Sequence, residues 1–529
     1  MIISVKKRVI NMFFRKISVI IFISLFMFSF SYMQAWGAEK AQIKKNQVLS
    51  IQDCVAFAIN NSPVIKKYEY NLEIANSNVG IAKSVYFPTL GAGVGIYQDY
   101  NSNKNYDGSS NRELPSAAVT FNQLIWNFGK ASSMIKMEQF YRLGAEYQFM
   151  DSICNTIYDV KSKYYAVLRA QGEVEIAKNN VLINEKNYER AKKYAKSGKR
   201  TKIDVVNAEV YLSDAKIALV DARNEYDNAL ADLGNSLFVA YAPDFKIKEV
   251  ETFRFRDDYQ TQVMEKGGAE SSRIVDVAFR TGVEKNILSS ELKKLPFNLE
   301  QAIELAYKSS PDLWVLESTL KAMQQSVLYI KRQYYPDLTG NIGYGYNNTK
   351  DLSNNNLNMS VNLTSSLNIK QLKHEIDRAM AEVNLASNDI DHFRQNLYFS
   401  VKKAYINVDK NSRQIPAAQE KVRQALENFE LADKLYDDGE GDYILWQNAR
   451  ENYNEAKIEY VDTLYHYNMS LADLEIAMHY HLDDLHSQAE HAMHYHHKEI
   501  IEKLEESLHC QREHHEHPNH EHGEDDPKH

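Results

Sequence analysis

The stretch KIDVVNAEVYLSDAKIALVDARNEYDNALADL, residues 202–233, decides the architecture of this chain. Bulky side chains recur in it every seven residues, with an alanine three residues after each of the first four. The nine positions are Val205, Ala208, Leu212, Ala215, Leu219, Ala222, Tyr226, Ala229 and Leu233. Steps of three and four residues place them on one side of a helix, and a strict seven-residue repeat supercoils that helix against its partners. Because the stretch contains neither glycine nor proline, we predict one continuous coiled-coil helix.

A second stretch, residues 443–474, repeats this pattern. Its seam again alternates bulky with small side chains: Trp446, Ala449, Tyr453, Ala456, Tyr460, Thr463, Tyr467, Ser470 and Leu474. The tetrapeptide Leu-Ala-Asp-Leu ends both stretches with a displacement of 241 residues. Further upstream, Pro63 corresponds to Pro311 and Pro88 to Pro336, each displaced by 248 residues. A constant displacement over about forty residues indicates an internal duplication.

The bulk composition bounds the class of protein. A chain of 529 residues with 44% hydrophobic and 25% charged residues can bury a large core. The formal net charge of −9 gives no support for nucleic-acid binding, and the low counts of glycine (20) and proline (10) suit long helices. Cys54, Cys154 and Cys510 lie far apart, so we predict neither a disulfide framework nor a cysteine zinc site.

The N-terminus predicts export. Basic residues precede an apolar run at residues 17–30, and Ala35 and Gly37 offer small side chains at a cleavage site. This pattern is typical of a Sec-type signal peptide over residues 1–37, with a retained membrane anchor as the alternative. No later stretch reaches the roughly 18 consecutive apolar residues of a spanning helix. We therefore expect any later membrane insertion to use strands.

After Pro88 the hydrophobic period changes from helical to alternating. Residues 90–96 and 117–122 alternate in the first copy, and residues 338–346 and 357–364 alternate in the second. Apolar residues on one face and small or polar residues on the other suit a transmembrane barrel, although a half-buried soluble sheet would alternate too. Four strands cannot close a barrel, and lipid does not tolerate an open sheet edge. We therefore expect three protomers to supply twelve strands.

Each half also contains one long helix and two shorter ones. The long helices are predicted at residues 130–197 and 369–437, and the shorter ones at 49–86, from 202, at 299–335 and at 443–478. At 1.5 Å per residue, each long helix spans about 100 Å, and the two shorter ones stacked end to end match it. The predicted fold class is mainly α with a β-barrel segment. It is a duplicated strand hairpin plus long coiled-coil helices, assembled as a trimeric 12-strand barrel on a 12-helix tunnel.

We divide the chain into five segments. They are a signal peptide (1–37), a first repeat of helix, two strands, long helix and helix (38–237), a mixed equatorial segment (238–296), a second repeat (297–478) and a histidine-rich tail (479–529). A short strand at 253–255 is predicted in the mixed segment. The tail holds 14 of the 17 histidines, and we expect it to be partly helical and then disordered.

Motifs in both repeats resemble the TolC-type outer-membrane efflux duct family, also called outer membrane factors. They are LSIQDCVAFAINNSP (49–63) with FPTLGAGVG (87–95), their echo FNLEQAIELAYKSSP (297–311) with YPDLTGNIG (335–343), and YAKSGKRTKIDVVNAEVYLSDAKIALVDA (194–222). The resemblance covers about residues 49–478. It implies a homotrimer in the outer membrane with a periplasmic helical tunnel. It also implies docking to a periplasmic adaptor and an inner-membrane transporter, with no catalysis and no cofactor.

The two helix–turn–helix tips are the candidate functional site. The resemblance implies an adaptor contact at Gly198, Lys199, Arg200 and Thr201 in the first tip and at Gly439, Glu440 and Gly441 in the second. A three-fold ring of carboxylates from Asp204, Asp437, Asp438 and Asp442 would narrow the tip and select cations. The alternative is that the tip residues only cap helices. The family's gate-lining aspartates fall on Leu445 and Asn448 here, so we expect the acidic turn 437–442 to substitute for them.

The histidine-rich tail raises a metal hypothesis. Its candidate ligands are His514, His515, His517, His520 and His522. Imidazoles mixed with carboxylates bind Zn²⁺, Cu²⁺ or Ni²⁺, but a solvated tail without fixed geometry is the alternative.

The sequence thus favours a non-catalytic outer-membrane exit duct of a tripartite efflux or type I secretion system. Two alternatives stay open: a non-conducting structural tether that spans the periplasm, and a duct specialised for heavy-metal efflux. A secreted enzyme is not supported, because the sequence has no nucleophile elbow, phosphate loop or metal triad.

Overall fold

The computed structural model describes residues 43, 46–100, 111–239, 245–250, 295, 297–349, 352–365 and 368–479. The predicted signal peptide, the strand at 253–255 and the tail after residue 479 lie outside this range. In chain order the elements are β1 (Val48–Leu49), α1 (Ile51–Asn61), α2 (Pro63–Ser84), β2 (Thr89–Tyr100), β3 (Asn111–Trp126), α3 (Lys130–Lys196), α4 (Lys202–Ser236), β4 (Lys246–Ile247), α5 (Leu299–Ser309), α6 (Pro311–Lys331), β5 (Asp337–Thr349), β6 (Leu352–Thr364), α7 (Ile369–Asp438) and α8 (Tyr443–Met478).

The helical region before each hairpin is two helices. Ser62 ends α1 in an extended conformation and caps α2, because its hydroxyl accepts a hydrogen bond from the Ile65 amide at 3.2 Å. Pro63 then occupies the first helical position, where no N–H is needed. The same Ser-Pro pair opens α6. The prediction of continuous helices over 49–86 and 299–335 is therefore wrong, because Ser-Pro starts a new helix here.

The long helices are confirmed almost to the residue. Helix α3 has 67 residues and α7 has 70, and α8 covers the predicted 443–478. Helix α3 lies at the centre of the protomer, where it packs against α1, α2, α4, α6 and α8. Helix α7 packs against α8 and α6. None of the described helices combines the length and the apolar character needed to cross a bilayer.

The heptad seams are the packed faces. In α4 all nine seam positions are buried or half-buried, while Ile203, Val206 and Val210 on another face are exposed. In α8 the seam positions are buried apart from the half-buried Thr463. An alanine after each bulky residue lets neighbouring backbones approach closely, as the ridges of one helix fit the grooves of the next. The same repeat that predicts helix thus predicts which face is covered.

Polar pairs align α3 with α8 along their length. The Tyr158 hydroxyl donates to Asp473 at 2.7 Å, and Arg169 Nε donates to Asp462 at 2.6 Å. Arg169 lies eleven residues after Tyr158, and Asp462 lies eleven before Asp473. Eleven residues make about three helical turns, so the antiparallel helices keep one register over that distance. Next to the first of these pairs, Lys161 Nζ lies 2.5 Å from a Glu475 carboxylate oxygen.

The four long strands form one antiparallel sheet in the order β2-β3-β5-β6, which confirms both predicted hairpins. Adjacent rows across the sheet alternate in character. One row is Leu90, Phe121, Ile342 and Met359, and the next is Gly91, Thr120, Gly343 and Asn358. The sheet therefore has an apolar face and a face of mostly small and polar side chains.

The mixed segment begins as part of a second, two-stranded sheet. Strand β1 pairs in parallel with β4, with Leu49 opposite Ile247. The hydroxyl of Tyr164 on α3 donates to the Leu49 carbonyl at 3.2 Å and also to the Lys248 carbonyl. Tyr164 thereby fastens this small sheet to the central helix.

One proline lies inside a long helix. Pro416 lies about two-thirds of the way along α7 and has no N–H to donate to the Ser412 carbonyl, four residues earlier. Helix α7 therefore lacks one internal hydrogen bond that an ordinary residue would supply.

The seam packing can be tested with one pair of substitutions. Ala208 on α4 is 1% exposed, so Ala208→Leu should overpack the contact with α3 and destabilise it by about 1–3 kcal/mol. Ala218→Leu, at an exposed position of the same helix, should change stability by less than about 0.5 kcal/mol. Thermal unfolding followed by far-ultraviolet circular dichroism would measure the stability of both variants. Equal midpoints for the two variants would contradict the assignment of the seam.

Candidate functional site

The first tip is a tight turn between α3 and α4. Gly198 adopts the left-handed region at φ +76, and the Lys199 amide donates to the Tyr194 carbonyl at 2.9 Å. The Thr201 hydroxyl accepts from the Asp204 amide at 3.4 Å, and the Asp204 carboxylate accepts from the Thr201 amide at 3.3 Å. This reciprocal pair is a capping box, which satisfies two amides at the start of α4.

The second tip is built in the same way. Gly439 ends α7 at φ +86, and the amides of Glu440 and Gly441 both donate to the Leu435 carbonyl, at 3.0 and 2.8 Å. Asp442 then caps α8 by accepting from the Leu445 amide at 2.7 Å. A side chain at Gly441 would put its Cβ 3.0 Å from Leu435 Cβ. Each tip therefore has a glycine where the backbone turns left-handed, as helix ends favour.

Just behind the tips, Arg190 joins the two coiled coils. Its Nη1 donates to Asp433 Oδ1 at 2.8 Å and to Asp437 Oδ1 at 2.9 Å. The Arg190 and Asp433 side chains are only 10% and 7% exposed. An ion pair so deeply buried fixes the position of α3 relative to α7, because separating the partners would leave an uncompensated charge.

Aromatic rings surround this ion pair. The Arg190 guanidinium lies 4.9 Å from the Tyr436 ring centroid and 5.4 Å from that of Trp446. Trp446 Nε1 donates to Asp433 at 2.6 Å, and the Tyr194 hydroxyl donates to Asp437 at 3.0 Å. We call Arg190, Asp433, Tyr436, Asp437 and Trp446 the tip cluster. In it one guanidinium is shared by two carboxylates of the same protomer, and aromatic rings flank the guanidinium.

The two turns are in contact with each other. Arg200 Nη2 from the first turn donates to the Tyr436 carbonyl at 2.6 Å, and its guanidinium lies 4.4 Å from the Tyr436 ring centroid. Burial, followed by the nearby Asp437 carboxylate, raises the pKa of Tyr194. An ordinary tyrosine already has a pKa of about 10, so Tyr194 keeps its proton and remains a donor to Asp437 at neutral pH.

The structure thus places each residue of the predicted site. The capping roles of Thr201 and Asp442 are confirmed, and Asp204 completes the cap of α4. Asp437 is bound by Arg190, whereas Asp438, Lys199 and Glu440 are exposed. Gly198, Thr201 and Gly439 are also exposed, Arg200 is half-buried and Gly441 is buried. Convergence of the acidic residues into a three-fold ring stays a prediction.

Sequence reasoning missed the tip cluster. The three- and four-residue spacing of one helix face is present at Asp433, Tyr436 and Asp437. It is also present at Arg190 and Tyr194, which are four residues apart. Nothing in the sequence, however, pairs the face of α3 with that of α7. The tail candidates His514, His515, His517, His520 and His522 lie outside the described residues.

A sequence model of outer membrane efflux proteins matches residues 56–237 and 302–478. Protein CyaE of Bordetella pertussis is 22% identical over 192 residues, which are 36% of this chain and 40% of that protein. This chain therefore aligns with less than half the length of the curated relative it matches.

Solved structures share the fold. CusC has a TM-score of 0.67 at 14% identity and covers 83% of this chain and 95% of its own. The Campylobacter jejuni outer membrane channel CmeC has a TM-score of 0.65 at 15% identity, covering 84% and 90%. VceC of Vibrio cholerae has a TM-score of 0.64 at 15% identity, covering 82% and 97%.

The tip cluster yields a second prediction. Arg190→Ala should destabilise the contact between α3 and α7 near the tips by about 3–5 kcal/mol, because Asp433 would stay buried without its cation. Amide hydrogen exchange at residues 187–200 should then accelerate by about a hundredfold or more, since 1.4 kcal/mol is a factor of ten. Lys193→Ala, at an exposed position on the same helix, is the matched control. Unchanged exchange in Arg190→Ala would show that the ion pair does not hold the tip together.

Proposed function

The chain belongs to the outer membrane efflux protein family, and from this membership we propose that three copies form an exit duct that passively conducts substrates out of the cell. Membership places the protein in the outer membrane, with its helical part in the periplasm. The duct receives its substrate from a periplasmic adaptor and an inner-membrane pump, in a tripartite efflux or type I secretion system.

The two-faced sheet is the observation that carries this proposal. On its apolar face Leu90, Val94 and Met359 are 73%, 88% and 67% exposed within one protomer. The adjacent rows present glycine, threonine, serine and asparagine, and Asn122 and Asn341 are hydrogen-bonded across two strands. Lipid suits the first face and water suits the second. A structural tether would have no use for a polar, hydrated inner face.

The sheet edges support three copies. Strands β2 and β6 are the outer strands of the sheet, so each has one side without a strand partner among the described residues. A sheet edge in the hydrocarbon of a bilayer leaves amides and carbonyls unsatisfied, which lipid cannot compensate. Pairing β6 of each protomer with β2 of the next satisfies every edge. Three sets of four strands make a barrel wide enough for a water-filled lumen, whereas two sets would fill with side chains.

Helix α4 supports the same assembly. Besides its covered seam it has a second apolar face, formed by Ile203, Val206, Val210, Ile217 and Val220, which are 51–69% exposed. These residues also follow steps of three, four and seven, so they can pack into another helix. We assign this face to the neighbouring copy, which would close the helical tube.

The exposed turn residues are the proposed adaptor contact. Gly198, Lys199, Thr201, Gly439 and Glu440 lie at the ends of both coiled coils with their surfaces accessible. Because the turns are already braced by caps and by the tip cluster, a partner could bind them without reorganising the backbone.

The proposal is tested by reconstituting the full chain in planar bilayers. A duct gives stepwise conductance, and chemical cross-linking in detergent gives a band at three times the protomer mass. A stable trimer without conductance would instead identify a tether. A stable monomer in detergent would overturn the assembly altogether.

The acidic second tip predicts cation preference. Asp438→Asn together with Glu440→Gln removes two exposed charges that take no part in a helix cap or in the tip cluster. The double variant should shift the reversal potential in a salt gradient towards zero, because the carboxylates no longer attract cations. Asp389→Asn with Asp391→Asn removes the same charge from exposed positions in the middle of α7 and is the matched control. An identical reversal potential in wild type and tip variant would rule out selectivity at the tip.

The two faces of β6 predict opposite responses to arginine. Met359→Arg places a charge on the lipid face and should cost about 2–4 kcal/mol near the membrane centre, which lowers the yield of trimer from outer membranes. Asn358→Arg, one residue earlier, points to the lumen and should assemble normally. Native gels of membrane fractions measure both yields. A better yield for Met359→Arg than for Asn358→Arg would invert the assignment of the faces.

A further inference from the structure

Far from the tips, three side chains of metal-binding type converge where α8 ends. Asp151 lies about one-third of the way along α3, Asp312 is in the first turn of α6, and His479 is the residue that ends α8. One ligand atom from each lies within 4.8 Å of the other two. The convergence joins helices from both repeats, and the tip residues take no part in it.

Two of these ligand atoms are buried and unpartnered. His479 Nδ1 and Asp151 Oδ1 have no hydrogen-bond partner among the described residues, and they lie 4.0 Å apart, beyond hydrogen-bond distance. The His479 side chain is only 9% exposed. Leaving a buried polar atom without a partner lowers the stability of the fold by about 1–3 kcal/mol. A ligand bound between these two atoms would remove that penalty.

The surrounding contacts orient the three side chains. The Ser309 hydroxyl, beside the start of α6, donates to the Met478 carbonyl at 2.6 Å and so holds the end of α8 next to Asp312. His479 adopts the left-handed conformation at φ +48, with its amide bonded to the Ile476 carbonyl. The second oxygen of Asp151 accepts from Asn155 at 2.7 Å, which turns Oδ1 towards His479. Such second contacts are how proteins position metal ligands.

The electrostatic environment favours a cation. The three side chains line an open cavity of about 490 Å³ that also contains Asp473, and the described residues that line it include no lysine or arginine. Asp151 and Asp312 place carboxylate oxygens within 4.8 Å of each other, so the two carboxylates repel one another in the absence of a cation. The C-terminal end of α8 adds the negative end of a helix dipole.

We propose that Asp151, Asp312 and His479 form a binding site for a divalent transition-metal ion, with Zn²⁺ the ion that the ligand set favours. One imidazole nitrogen and two carboxylate oxygens supply three of the four zinc ligands, and water in the cavity supplies the fourth. The imidazole disfavours Mg²⁺ and Ca²⁺, which prefer all-oxygen sites. Ligand atoms in tetrahedral zinc sites lie about 3.4 Å apart, so the side chains must draw together by roughly 1 Å. Asp312 is exposed and free to do so.

A metal at this position would link α3, α6 and α8, and so join the two repeats at one point. The inference does not depend on conduction, because it rests only on contacts within one protomer. It also does not involve the histidines after residue 479.

The test uses the full-length chain with every histidine after residue 479 replaced by glutamine, purified in detergent and stripped with a chelator. Isothermal titration with Zn²⁺ should give one site per chain, and zinc should raise the thermal midpoint. His479→Ala in this background should weaken binding at least tenfold, as should Asp312→Asn. His374→Ala, at an exposed position on α7, should leave zinc binding unchanged.

Asp312→Asn keeps the test decisive if His479→Ala fails to fold, because Asp312 is exposed. Zinc affinity unchanged in Asp312→Asn and His479→Ala would overturn the site. Binding seen only at millimolar zinc, or equally strong binding of Mg²⁺, would also overturn it.

Discussion

The backbone hydrogen bonds of β2 and β6 constrain this protein more than any other interaction. A protomer builds a sheet with an apolar face and a polar face, but within the described part of the chain each outer strand has one side without a strand partner. In water those groups would be solvated, whereas in hydrocarbon they must be satisfied by protein. Closure of the sheet into a barrel by further copies follows from that requirement. The exposed second apolar face of α4, which we assign to the neighbouring copy, would be covered in the same assembly. Sheet and helices therefore impose one assembly for two different physical reasons.

Within the protomer, apolar seams supply the packing and polar pairs supply the alignment. A heptad seam of alanine and larger side chains can slide by a whole repeat with little loss. The bonds of Tyr158 to Asp473 and Arg169 to Asp462 allow only one register of α3 on α8. The tip cluster does the same for α3 and α7 at the far end. Buried ion pairs of this kind add little net stability, and their better-attested role is to specify one arrangement.

The fold could be predicted from the sequence where the signal is periodic and local. The heptads predicted both ends of α8. The alternation at 357–364 predicted which residues of β6 lie on the apolar face of the sheet and which on the polar face. The Ser-Pro break at Ser62 was missed because a helical period continues across it. Of the site, the caps at Thr201 and Asp442 were foreseeable, since capping acts over three residues. Arg190 with Asp433, and Asp151 with His479, are pairs hundreds of residues apart, and no local rule connects them.

Pro416 has a mechanical consequence for the tips. Helix α3 contains no proline, whereas α7 lacks one internal hydrogen bond at Pro416 and can bend there most easily. The part of α7 beyond Pro416 is about 33 Å long, so a bend of about 5° would carry its end sideways by about 3 Å. That part of α7 can therefore move as a rigid segment that pivots at the proline. The displacement that this small bend produces at the second turn is about the length of a hydrogen bond. A displacement of that size is enough to make or break the Arg190 contacts.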